Sequence, residues 1–204
     1  MEQTLTVVCK LQPSPEQVVK MDALLRAFAD ACNYANEQVK PGITSKTTIQ
    51  SIVYQDIRSK FGLSVNQAVR VCARVGANRK TAKVKGEAVK KFSPTSADYD
   101  ARIFDFREKD KTVSLTLLSC REHIPVVLAN YQAGKLKGRK PTSAQLCKHK
   151  DGCLYIHIQL TDKAPEPQKS SSVIGVDLGR RDIAVTSVAV TVLGMVTQIS
   201  TQRM

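Results

Sequence analysis

The chain has 204 residues, 42% of them hydrophobic and 24% charged, a balance that fits a folded protein and excludes wholesale disorder. Thirty-one Lys and Arg against 18 Asp and Glu leave a net charge of +13 at pH 7, which points to a polyanionic partner, nucleic acid above all. With no Trp and 5% aromatic residues, the anchors of an interfacial helix are missing, and no apolar run approaches the roughly 20 residues that span a bilayer.

Residues 3–11 alternate and carry β-branched side chains, so a strand is expected there. Pro13 ends it. Ser14 reads as an N-cap with Pro15 at the first helical position, and Val18, Met21, Leu24, Leu25, Phe28, Ala31 and Cys32 then recur at helical spacing as far as Val39. Pro41-Gly42 stops that helix. A second is expected over about 46–60, with Ile49, Val53 and Ile57 on one face.

The third helix is predicted from Ser64 to a break at Ser93-Pro94, and it is the basic one. Residues 58–91 hold ten cations against one acid, Glu87. Surfaces usually mix signs, so phosphate contact is the reading for Arg70, Arg74, Arg79, Lys80, Lys83, Lys85, Lys90 and Lys91. A solvated helix face is the competing, plainer use. Lys135, Lys137, Arg139 and Lys140 form a second basic cluster, expected on a loop.

After Tyr99 the period changes to two. Strands at 103–106 and 112–117 form a hairpin across 108–111, a short strand follows near 120–124, and a second hairpin at 143–161 turns at Asp151-Gly152. Residues 162–172 read as a linker, and 173–204 as the start of a new strand-rich unit. Cys147, His149, Cys153 and His157 are zinc-ligand types, but without a Cys-x-x-Cys knuckle and with two of them in an alternating strand. Tyr34, Tyr54, Tyr99 and Phe92 could stack on bases, with core packing as the simpler use. Scattered cysteines and the lack of a leader-like start predict reduced thiols and a cytoplasmic location.

The motif Ile174-Gly175-Val176-Asp177-Leu178-Gly179 places one carboxylate on a strand face flanked by glycines, where a cation and a phosphodiester could approach the backbone. By itself it leaves three readings open: a nuclease metal ligand, the first phosphate motif of actin-like ATPases, and a capped strand end. Residues 173–187 resemble the first RuvC motif of the TnpB (OrfB) family, transposon-encoded RNA-guided DNA endonucleases. The opening strand, the Pro-led helix, the basic third helix, Tyr99-Asp100-Ala101-Arg102 with Phe104 and Phe106, Ser114-Leu115-Thr116-Leu117 and the strand at 152–158 also resemble that family's N-terminal half.

The resemblance implies an α+β chain. A small antiparallel β-barrel of the oligonucleotide-binding (wedge) type would comprise 1–13 and 97–162, with an inserted helical bundle at 14–96. A linker at 163–172 would lead to the first strands of an RNase H-like RuvC domain at 173–204. It also implies guide RNA and DNA as partners, no membrane, and Asp177 as one of three acidic ligands for catalytic magnesium (Mg2+). One acid does not build a two-metal clamp, so these 204 residues are not expected to hold magnesium productively or to cleave unaided. Two uses remain: the front part of a nuclease completed by a RuvC-containing polypeptide, or a non-catalytic binder of guide RNA or transposon ends that competes with intact relatives.

Overall fold

The computed structural model describes residues 2–164, together with 176–177 and 185–186. Residues 1–164 form one compact unit and 165–204 a second. The first is an α+β structure with four helices and one antiparallel sheet of seven strands.

The opening strand β1 (Glu2–Leu11) leads into three consecutive helices, α1 (Pro15–Gln38), α2 (Lys46–Phe61) and α3 (Val65–Lys85). Both long helices start the same way. Ser14 Oγ accepts from the Gln17 amide while Gln17 Oε1 accepts from the Ser14 N–H, and Ser64 and Gln67 repeat that capping box at α3. Each glutamine has a side-chain amide left over. Gln17 Nε2 donates to Glu122 Oε2 and the His123 carbonyl, both at 3.1 Å, and Gln67 Nε2 donates to the Thr116 carbonyl at 2.8 Å. The caps therefore also dock the helices on the sheet.

Helix α3 ends at Lys85, short of the break expected at Ser93-Pro94. Gly86 adopts φ 68° and donates to the Lys83 carbonyl at 3.3 Å, while the Glu87 N–H reaches the Ala82 carbonyl at 2.9 Å. This is a Schellman closure, which satisfies the last carbonyls and turns the chain away. Val89, Lys90 and Lys91 thus lie on an irregular strap, not on the helix.

The remaining strands are β2 (Ser96–Asp100), β3 (Phe104–Arg107), β4 (Thr112–Thr116), β5 (Arg121–Val127), β6 (Ser143–Lys148) and β7 (Leu154–Lys163), with a short α4 (Asn130–Leu136) after β5. The sheet order is β2-β6-β7-β1-β5-β4-β3. Its two edge strands are neighbours in sequence, so the sheet must curl to bring them together. Its hydrogen-bonded ladder stays open between them. Tyr99 on β2 crosses that gap, its hydroxyl donating to the Thr116 carbonyl on β4 at 3.2 Å. A second opening lies beside β1, which pairs with β5 only at Lys10 and Leu11. There α4 covers the edge, with Gln132 Nε2 donating to the Val8 carbonyl at 3.4 Å and Leu136 buried.

Alternation sends Val7, Cys9, Ile156, Ile158, Leu146, Leu115 and Ile124 into the curl. Met21, Leu24 and Phe28 of α1, Ile49, Val53 and Ile57 of α2, and Val71 and Val75 of α3 pack with one another in the same continuous core. The helical block expected at 14–96 therefore shares its core with the sheet. The strands β8 (Val176–Asp177) and β9 (Val185–Thr186) pair antiparallel, with Asp177 opposite Val185. The linker expected at 163–172 falls, from residue 165 onward, outside the described residues, as does most of the unit expected at 173–204. Among the described residues no helix is long and apolar enough to cross a membrane.

Candidate nucleic-acid interface

Helix α3 separates its cations by depth. Arg74 points into the structure: Nε and Nη2 donate to both oxygens of Asp98 at 2.8 and 2.6 Å, and Nη1 donates to the Ser96 carbonyl and hydroxyl at 2.8 and 3.0 Å. The guanidinium also lies 4.9 Å from the Phe28 ring centre. Arg79 caps the far end of α1, donating to Asn36 Oδ1 and to the carbonyls of Asn36, Val39, Lys40 and Ile43 at 2.7–3.1 Å. Arg70 reaches the Tyr99 carbonyl at 3.3 Å, with its Nε buried. The donors of Arg74 and Arg79 are used inside the fold, where a planar fork with several N–H groups suits carbonyls and carboxylates.

The lysines stay in solvent. Lys80, Lys83 and Lys85 are exposed along the end of α3, and Lys90 and Lys91 are exposed on the strap beyond Gly86. That strap is fixed to α1: Asn33 accepts the Phe92 N–H at 2.8 Å and donates to its carbonyl at 3.0 Å. An open groove of about 510 Å³ runs alongside, with Arg79 and Lys83 among its lining and Glu87 as its acid. Lys83 and Lys85 also sit where positive charge favours a helix C-terminus, so local stability accounts for part of their placement.

The second cluster is less uniform than its sequence. Lys135 belongs to α4, 5.6 Å from the Tyr131 ring centre, and Arg139 pairs with Asp162 at 2.8 Å. Lys137 and Lys140 are exposed. Gly138 between them takes φ 65°, and its N–H donates to Glu108 Oε2 at 3.1 Å, tying the loop to the β3–β4 turn.

The residues considered for stacking are mostly occupied. Tyr99 is fully buried, and burial pushes its phenol pKa up. Phe92 packs against the core, and Tyr34 is bonded to Asp56 and Lys60. Cys9, Cys32, Cys72 and Cys147 are buried thiols whose pKa burial raises to about 11 or 12, which makes them unreactive.

Of the zinc-type residues, His149 stacks on Tyr155 with ring centres 4.0 Å apart and 20° between planes, while His157 meets His149 edge-on at 5.7 Å and 86°. Burial, then the nearby His149, lowers the His157 pKa. Among the described residues no three His, Cys, Asp or Glu side chains gather as a metal requires. What zinc spacing could not reveal was the ring stack, although the alternation of β7 already placed Tyr155 and His157 on one face. No protein-family model matches this chain, nor does any curated protein.

Proposed function

We propose that the chain is the nucleic-acid-binding N-terminal part of a TnpB-like RNA-guided DNA endonuclease, holding guide RNA and DNA through phosphate contacts. The observation that carries this reading is the lysine surface formed by Lys80, Lys83, Lys85, Lys90 and Lys91, presented by a helix end and an anchored strap. Lys137 and Lys140 extend the positive surface elsewhere. Contacts of this kind recognise backbone and duplex shape, leaving sequence to the guide.

The curled seven-strand sheet, with its edge strand β2 bridged to β4 at Thr116 and helices inserted after β1, supports an oligonucleotide-binding-type barrel carrying a helical recognition block. Asp177 is a magnesium ligand in this reading, acting with two partner acids. A polypeptide supplying them would restore magnesium-dependent cleavage that Asp177→Ala abolishes. Binding without such complementation would favour the non-catalytic competitor.

The test is binding of structured RNA and duplex DNA across a salt series, with Lys80, Lys83, Lys85, Lys90 and Lys91 changed to Glu. The unmodified chain should bind at low salt and weaken steeply as salt rises. The variant should bind at least tenfold more weakly, with the log–log salt slope reduced by about 0.7–0.9 for each phosphate no longer neutralised. Equal affinity of variant and parent would refute the lysine surface as the interface.

A further inference from the structure

The outward face of the sheet between β1, β7 and β6 is built differently from the lysine surface. Tyr155 stands opposite Lys10 of β1, and His157 opposite Val8 of β1 and Gln145 of β6. Val8 is 41% exposed on this outward face. The Asp151-Gly152 turn brings His149 back over this face, where one side of its ring rests on Tyr155. His149 is exposed, so a ring already held parallel to a tyrosine is open to solvent. His157 Nε2 is buried without a hydrogen-bond partner among the described residues.

The charge around these rings suits an anion. Lys10 and Lys150 are exposed beside them. The nearby acid, Asp151, is engaged by the Cys153 N–H at 2.8 Å and the Tyr155 hydroxyl at 3.4 Å. Following β7 from Tyr155 to Gln159 covers roughly 13 Å. There the Thr142 N–H bonds the Gln159 carbonyl, at the end of the loop that carries Lys137 and Lys140.

We propose that His149, Tyr155 and His157 form a base-stacking platform for single-stranded nucleic acid, with Lys10 and Lys150 holding its phosphates. The proposal rests on the reading that the partner is nucleic acid, and it adds a second, single-strand-selective site to it. Paired bases present no free ring face, whereas an unpaired base can continue the His149–Tyr155 stack. Every base has a ring face to stack, so the platform is sequence-tolerant.

The experiment compares a single-stranded oligouridylate with a duplex of equal length by fluorescence anisotropy, using the full chain and the variants His149→Ala, His149→Phe and Tyr155→Leu. Circular dichroism establishes that each is folded. His149→Ala should weaken single-strand binding roughly 5- to 150-fold, the range of one missing base–aromatic stack, and leave duplex binding unchanged. His149→Phe should restore it. Equal losses for both ligands, or no loss with His149→Ala while the parent binds, would overturn the platform and leave the lysine surface standing. A parent chain that binds neither ligand at low salt would overturn the nucleic-acid reading and the platform with it.

Discussion

Gln67 and Tyr99 converge on one backbone oxygen, that of Thr116, from 2.8 and 3.2 Å. Helix α3, the edge strand β2 and the strand β4 meet at this atom. Gln67 is 1% exposed, so its amide has no water to fall back on. Gln67→Leu should remove the docking bond and half of the α3 capping box, at a cost of about 2 kcal/mol. Tyr99→Phe leaves the ring in place and should cost about 1 kcal/mol. Urea unfolding of both single variants and the double variant measures this. Strict additivity would mean that the two donors do not share one structural task.

Arginines and lysines on α3 should separate in their phenotypes. Arg79→Met removes a fork that serves four carbonyls and an amide oxygen, so a loss of about 3 kcal/mol or more is expected, with little recovery in Arg79→Lys because an ammonium lacks the planar fork. Arg74→Ala leaves Asp98 with one donor from Gln145 and should cost about 3 kcal/mol, since the pair is largely shielded. Lys83→Ala, by contrast, should leave the unfolding free energy within about 0.5 kcal/mol of the parent's and weaken RNA binding. Unfolding and binding measured on the same preparations distinguish the two classes.

The same contrast marks how far the fold and the site were legible in the sequence. Ser14 and Ser64 each precede a glutamine by three residues, and Asp151-Gly152 is a turn pair, so helix starts and a hairpin were legible from local chemistry. The end of α3 was not, because Val89 continued the apolar spacing past Gly86 and the left-handed closure overrode it. The seven-residue α4 has little apolar period to betray it; its place is set by the unpaired edge of β1. Arg74 and Lys83 look alike in sequence, and only a partner 24 residues away, Asp98, separates an internal clamp from a surface cation.

Two glycines in helices should respond oppositely to alanine. A methyl on Gly76 would lie 2.8 Å from the Thr44 carbonyl oxygen, a backbone atom just ahead of α2. The gain in helix propensity, about 1 kcal/mol, is smaller than the roughly 1–3 kcal/mol of overpacking that a fixed neighbour imposes. Gly76→Ala should therefore lower the melting temperature. Gly134 in α4 has nothing within 4 Å of the new methyl, so Gly134→Ala should raise stability by about 0.5–1 kcal/mol. Equal effects at both sites would refute the close approach at Thr44.

Acid should loosen the contact between α1 and β5 first through Glu122. The Lys20 ammonium at 2.8 Å, with the Gln17 amide and the Cys120 thiol, holds its carboxyl down at about 2 from an ordinary 4.5. A carboxyl depressed on folding stabilises the folded state fully above its unfolded value and loses that contribution as protons bind. The relevant window runs from about pH 4.5 down to about pH 2, where stability should fall as pH falls. Glu122→Gln keeps an oxygen for Gln17 but gives up the charge facing Lys20, and Lys20 retains Glu16 at 2.8 Å, so the variant has no stranded cation. Its urea midpoint should lie below the parent's at pH 6 and converge on it towards pH 2. A constant gap across that range would mean that Glu122 contributes by packing, not by its charge.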